Sequence, residues 1–160
     1  MALASPNIDY VAELVQIRER YVSATLRQRL SMVRHRLADN HVGANRLVTS
    51  VSAVEALARS LLQHLAADSQ ADLAAAYPRY KEWSAKSLVR EYLSRKGISD
   101  LPLYFAEDNW KLFGYAVEYR NVLVHECTGL GQDKFPSLIE ACEVVLDHLV
   151  KLANIREHRA

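Results

Sequence analysis

Residues 44–67 read ANRLVTSVSAVEALARSLLQHLAA, and this stretch decides the fold class. Leu47, Val51, Val54, Ala58, Leu61 and Leu65 recur at steps of four and three, the period of a helix buried along one face. Ala53 and Ala56 are small enough to let a neighbouring helix come close, so the segment is expected at the centre of a helical bundle. Glu55 lies at the edge of the apolar face beside Val51 and Leu62, as a surface acid or an ion-pair partner. One possible partner is Arg120, across the bundle.

Composition points the same way. The 160 residues suit one domain with a sizeable core. Half are hydrophobic, and with 5 Gly and 4 Pro the chain favours helices over a turn-rich β fold. No apolar run approaches the roughly 18 residues of a membrane span, and Met1–Asn7 has no signal-peptide pattern. A cytoplasmic protein without membrane association is expected. Cys127 and Cys142 stand outside any Cys-x-x-Cys or Cys/His spacing and read as free thiols. A net charge of +1 excludes a globally basic nucleic-acid binder but leaves room for a local basic face.

Outward from the central segment, Ser5-Pro6 is a helix start, and one long helix is expected from there to about Asn40. Val11, Val15, Val22, Leu26, Leu30, Val33 and Leu37 form its buried face. Arg20, Arg27 and Arg34, seven apart, make a stripe opposite, while Arg18, Arg29 and Arg36 border the apolar side. These arginines read as a solvated face with snorkelling stems or as a rail for phosphates. Residues 39–43 form a turn.

Beyond the central helix, a less regular inserted segment spans about 68–105. A short helical turn before Pro78 leads to a helix over Ser84–Lys96, ended by Gly97, and Leu101–Phe105 is expected as an extended or hydrophobic linker into the next helix. Arg79, Lys81, Lys86, Arg90, Arg95 and Lys96 alternate there with Tyr77, Tyr80, Trp83 and Tyr92. Cations with flat rings suit single-stranded RNA; the alternative is that the rings pack this segment onto the bundle. After a loop at 128–131, a last helix over about Lys134–Glu157 steps through Leu138, Cys142, Val145, Leu149 and Leu152.

The helix expected from Glu107 to Cys127 breaks its own pattern. Trp110, Phe113, Val117 and Val124 fall on one apolar stripe, and Arg120 falls in the middle of it. A guanidinium there needs a partner, water or a polar cleft. Asn121 and His125, spaced i, i+4, share one edge. Arg120 and His125 are five apart, about 140° around a regular helix. They do not point the same way unless the helix distorts or a second chain contributes.

The Arg-Asn-(three residues)-His pattern of Arg120, Asn121 and His125, within an all-helical chain of this size, resembles the signature of the HEPN superfamily. That resemblance implies an up-and-down bundle of four or five helices. It also implies a metal-independent endoribonuclease acting as a homodimer that pools the motifs of both protomers. His125 would move protons at the 2′-hydroxyl or leaving oxygen, Arg120 would hold phosphorane charge, and Asn121 would orient the imidazole or the scissile phosphate. Glu55 and Glu118 are candidate supports. Arg79, Lys81, Lys86, Arg90, Arg20, Arg27 and Arg34 are candidate RNA contacts. Such an enzyme could be a toxin or defence nuclease held by an antitoxin or other regulatory protein. A different class also fits: a noncatalytic helical module that binds nucleotides or a protein partner.

No cofactor or metal is expected. His35, His41, His64, His148 and His158 are scattered, His64 and Asp68 lack a third ligand, and there is no Glu-x-x-His pair, phosphate-cradling Gly-rich loop or Gly-x-Ser-x-Gly.

Overall fold

The computed structural model describes residues 8–38, 43–127 and 132–157. Every regular element among them is helical. The helices are α1 (Tyr10–Ser23), α2 (Leu26–Leu37), α3 (Ala44–Ala66), α4 (Gln70–Tyr80), α5 (Ala85–Arg95), α6 (Leu101–Phe105), α7 (Glu107–His125) and α8 (Phe135–Leu152), with a 3-10 turn at Gln132–Lys134.

Helix α3 is central, packing against α2, α4, α5, α7 and α8. Its Leu47, Val51, Val54, Ala58 and Leu61 are buried as the period requires, while Leu65 is exposed, beyond the packed part of the helix. Helix α8 buries Leu138, Cys142, Val145 and Leu149 against it. Desolvation, with the Glu143 carboxylate adding to it, pushes the Cys142 thiol up to about 12, whereas Cys127 is exposed.

The expected single N-terminal helix is two. Ala24 is extended (ψ 140), and Thr25 caps the new helix by accepting from Gln28 N while Gln28 Oε1 accepts from Thr25 N. This reciprocal capping box is the local reason that α2 starts afresh. Asp9 caps α1 by accepting from Ala12 N; Ser5-Pro6 and the turn residues 39–42 lie outside the described residues. The break also redirects the buried face. Val22, Leu30 and Val33 are buried, but Val11 and Val15 are 74% and 51% exposed, because α1 packs chiefly on α4 through its C-terminal end. There Gln63 Nε2 donates to Val22 O and Leu73 O, and His64 Nε2 donates to Ala24 O.

Residues 70–105 are more regular than the expected insertion and form part of the main core. Helix α4 continues through Pro78, which sits in its last turn. Ala85, Leu88, Val89, Tyr92 and Leu93 of α5 join the same apolar cluster as α3 and α8. Leu101–Phe105 is a short helix, not an extended linker: Asp100 caps it by accepting from Leu103 N, and Pro102 sits in its first turn, where a missing N–H costs nothing. The chain then turns at Ala106 (φ +68), with Asn109 Nδ2 donating to Phe105 O, and enters α7.

Candidate functional site

Helix α7 places the motif. Glu107 and Asp108 stand in its first turn, where negative charge suits the helix dipole, and His125 stands in its last. Trp110, Phe113, Ala116 and Val117 face inward and are buried; Val124, expected on the same stripe, is exposed where the helix runs past the core.

Arg120 has found the partner that its place on the apolar stripe demanded. Its Nη1 donates to Glu55 Oε2 of α3 at 3.0 Å, and the two side chains are only 17% and 20% exposed. Glu55 serves a second cation through its other oxygen, accepting from Arg59 Nη2 at 2.9 Å. Arg59 Nε in turn donates to Tyr80 O at the end of α4. The chain Arg120–Glu55–Arg59 thus ties α7, α3 and α4 together and carries one net positive charge. Arg120 Nε donates to Asn121 Oδ1 at 3.0 Å, which fixes the neighbouring amide.

Asn121 and His125 are exposed. The helix runs without interruption to His125, so the five-residue spacing keeps its ordinary meaning. Arg120 turns in toward α3, and His125 lies about 140° away around the axis. One chain brings Arg120 and Asn121 together, and Asn121 and His125 share an edge, but His125 is not turned toward Arg120.

At 100° per residue, Asn121 and His125 share a face with Lys111, Gly114, Tyr115 and Glu118. The part of that face from Lys111 to Glu118 forms one wall of a cleft of about 300 Å³, bounded on the other side by Lys86 of α5 and Pro102 of α6. The Lys86 ammonium lies 5.5 Å from the Trp110 ring centre. It reaches there because residue 114 has no side chain: a Cβ on Gly114 would stand 3.2 Å from Lys86 Nζ. Sequence reasoning missed this cleft and the bridging Arg59. A glycine inside a helix costs about 1 kcal/mol relative to alanine and marks a close approach. That was the available signal.

The other basic candidates are spread differently from the expected path. Tyr77, Tyr80 and Tyr92 are buried and Trp83 is half-buried, so these rings pack the core and do not offer faces to bases. Arg79 lies over Tyr80 and Arg90 over Trp110, while Lys81 is exposed. The Arg20, Arg27 and Arg34 stripe is split by the helix break. Arg20 and Arg27 are exposed, but Arg34 is held by Glu157 at 2.8 Å and Asp147 at 3.4 Å. Of the arginines expected beside the apolar face, Arg18 sits over Tyr77, and Arg29 donates to Ser60 Oγ against the Tyr21 ring. Burial and the nearby Arg59 charge lower the Arg29 pKa.

Among the described residues, no group of three His, Cys, Asp or Glu side chains could hold a metal ion, and no helix is long and apolar enough to cross a membrane. No protein-family model, no catalogued protein and no solved structure matches this chain.

Proposed function

We propose that this protein is a HEPN-type endoribonuclease that cleaves RNA without a metal, at a site assembled from two copies of the exposed face of α7. The observation that carries this reading is the arrangement around Asn121. A titratable imidazole, His125, stands free on the surface one turn away, and a permanent cation, Arg120, is held beside the amide by Glu55. In this reading His125 takes the proton from the ribose 2′-hydroxyl or gives one to the leaving oxygen. The Arg120 guanidinium and the net positive charge of its network stabilise the phosphorane. The 140° between Arg120 and His125 is met by a two-fold dimer in which the His125 of one protomer works with the Arg120 of its partner. Lys86 and Lys111 in the cleft, with Arg90 against Trp110, extend the path for the strand. A toxin or defence role, with a separate antitoxin, follows from such an activity in a cell.

The test is cleavage of RNA by purified protein in chelator. Wild type is expected to cut, leaving 2′,3′-cyclic phosphate ends, and His125→Ala to lose at least about a hundredfold in rate with helix content unchanged. Absence of cleavage by well-folded wild type, freed of any inhibitory partner, would end the enzyme reading. The dimer is checked separately by sedimentation, where a monomer at micromolar concentration counts against the composite site.

One observation favours a second reading. Arg120 is already engaged by Glu55 inside the bundle, which is what a noncatalytic module keeping the motif for stability would need. In that case His125→Ala changes nothing, and Arg120→Ala is felt only in stability.

A further inference from the structure

We infer that the cleft between α5, α6 and α7 is a nucleotide subsite, seating one nucleotide of single-stranded RNA with its phosphate at Lys86 and Lys111 and its base on Tyr115. The inference rests on reading the α7 face as an RNA surface, and it names the part of that face which grips the strand.

Three features carry it. First, the cleft presents two ammonium groups that no carboxylate neutralises directly. Among the described residues, Lys86 and Lys111 form no ion pair, although Glu107 and Glu118 line the same cleft. The Lys86 stem is held in place across Gly114 and against Trp110, so its ammonium is positioned rather than free-swinging. Second, Tyr115 is 48% exposed in the cleft wall, unlike Tyr77, Tyr80 and Tyr92, which are buried. An exposed ring beside a fixed cation is what an unstacked base and its phosphate require. Third, the size and charge select the ligand. About 300 Å³ is at the small end of ligand pockets and fits one nucleotide. Two lysines against two glutamates leave no excess positive charge, so a triphosphate is not favoured.

The position links the cleft to the motif. Gly114 and His125 share a face and are eleven residues apart, about 16 Å of helix rise. A strand gripped at Lys86 and laid along α7 passes Glu118 and Asn121 and reaches His125 within a few nucleotides.

The experiment measures binding of a fluorescently labelled single-stranded RNA hexamer to His125→Ala protein, in which the strand survives. In that background Lys86→Met keeps the stem over Trp110 and removes the charge, Tyr115→Ala removes the ring, and Lys151→Met on α8 controls for charge loss. Tyr115→Ala is expected to weaken binding at least about fivefold. Lys86→Met should weaken it and reduce the slope of log affinity against log salt by about 0.7. Lys151→Met should do neither. Gly114→Ala, whose Cβ crowds Lys86 Nζ, is expected to weaken binding while leaving thermal stability equal or higher, so misfolding cannot account for its effect. Adenosine monophosphate should compete with the hexamer, and adenosine triphosphate no better. Unchanged affinity and salt slope in both Lys86→Met and Tyr115→Ala overturn the subsite, even if wild type cleaves RNA through His125. Weakened binding in both supports it, even if wild type cleaves no RNA and the catalytic reading falls.

Discussion

Glu55 is the residue on which the motif depends, because one carboxylate serves two half-buried guanidinium groups. Removing it leaves Arg59 and Arg120 facing each other without compensation. Glu55→Ala is therefore expected to cost about 2 kcal/mol, less than a fully buried pair because both sides see some water. For a chain of this length that lowers Tm by roughly 4–8 °C, measurable by calorimetry. Arg120→Lys would keep the charge but lose the planar fork that reaches Glu55 and Asn121 together. Cys142 makes a second test. Folding pushes its thiol from 9.0 up to about 12, so between those values the folded chain keeps a proton that the unfolded chain has lost. The unfolded state then binds fewer protons, and stability falls as pH rises above about 9. Burial raises the Tyr92 and Tyr77 hydroxyls as well, with the neighbouring Tyr21 adding to the latter, so they act in the same direction. Denaturant midpoints measured from pH 8 to 11 should decline, and Cys142→Ala should flatten the early part of that decline.

Among the helices, α1 and α2 show how a short polar signal overrides a long apolar period. Val11 through Leu37 can be threaded on one helix, but Thr25 and Gln28 form a capping box in the middle and start a new one. Thr25→Ala should cost about 1 kcal/mol in chemical denaturation. The break leaves α1 anchored by its C-terminal end, with Val11, Leu14 and Val15 more than half exposed. Few buried contacts mean a low free energy of local opening. Amide hydrogens of α1 are expected to exchange far faster than those of α3, and comparable protection by mass spectrometry would refute that. Helix α6 is the opposite case. The Asp100 cap and a proline in the first turn made a helix of a segment whose apolar run reads as extended.

For the molecule as a whole, much was legible from the sequence by itself. The three-and-four spacing on α3, the inward face of α7 and the stepping of α8 require helices buried on one side, since only that geometry brings those residues to one surface. The anomaly of Arg120 was equally legible, because a cation on an apolar stripe must have a partner, and Glu55 was one candidate. Tertiary structure decided the rest. It brought Arg120 to Glu55, and it carried Arg59, one turn along α3, on to the end of α4. It buried Tyr80 and Tyr92 in the core and left Tyr115 outside, although all three are tyrosines on helices. It also set Lys86 across Gly114, making a cleft from three successive helices, α5, α6 and α7. The physical reason is common to these cases. Periodicity reports which side of one helix avoids water, whereas charge pairing, ring exposure and clefts depend on which other helix arrives at that side, and at what height.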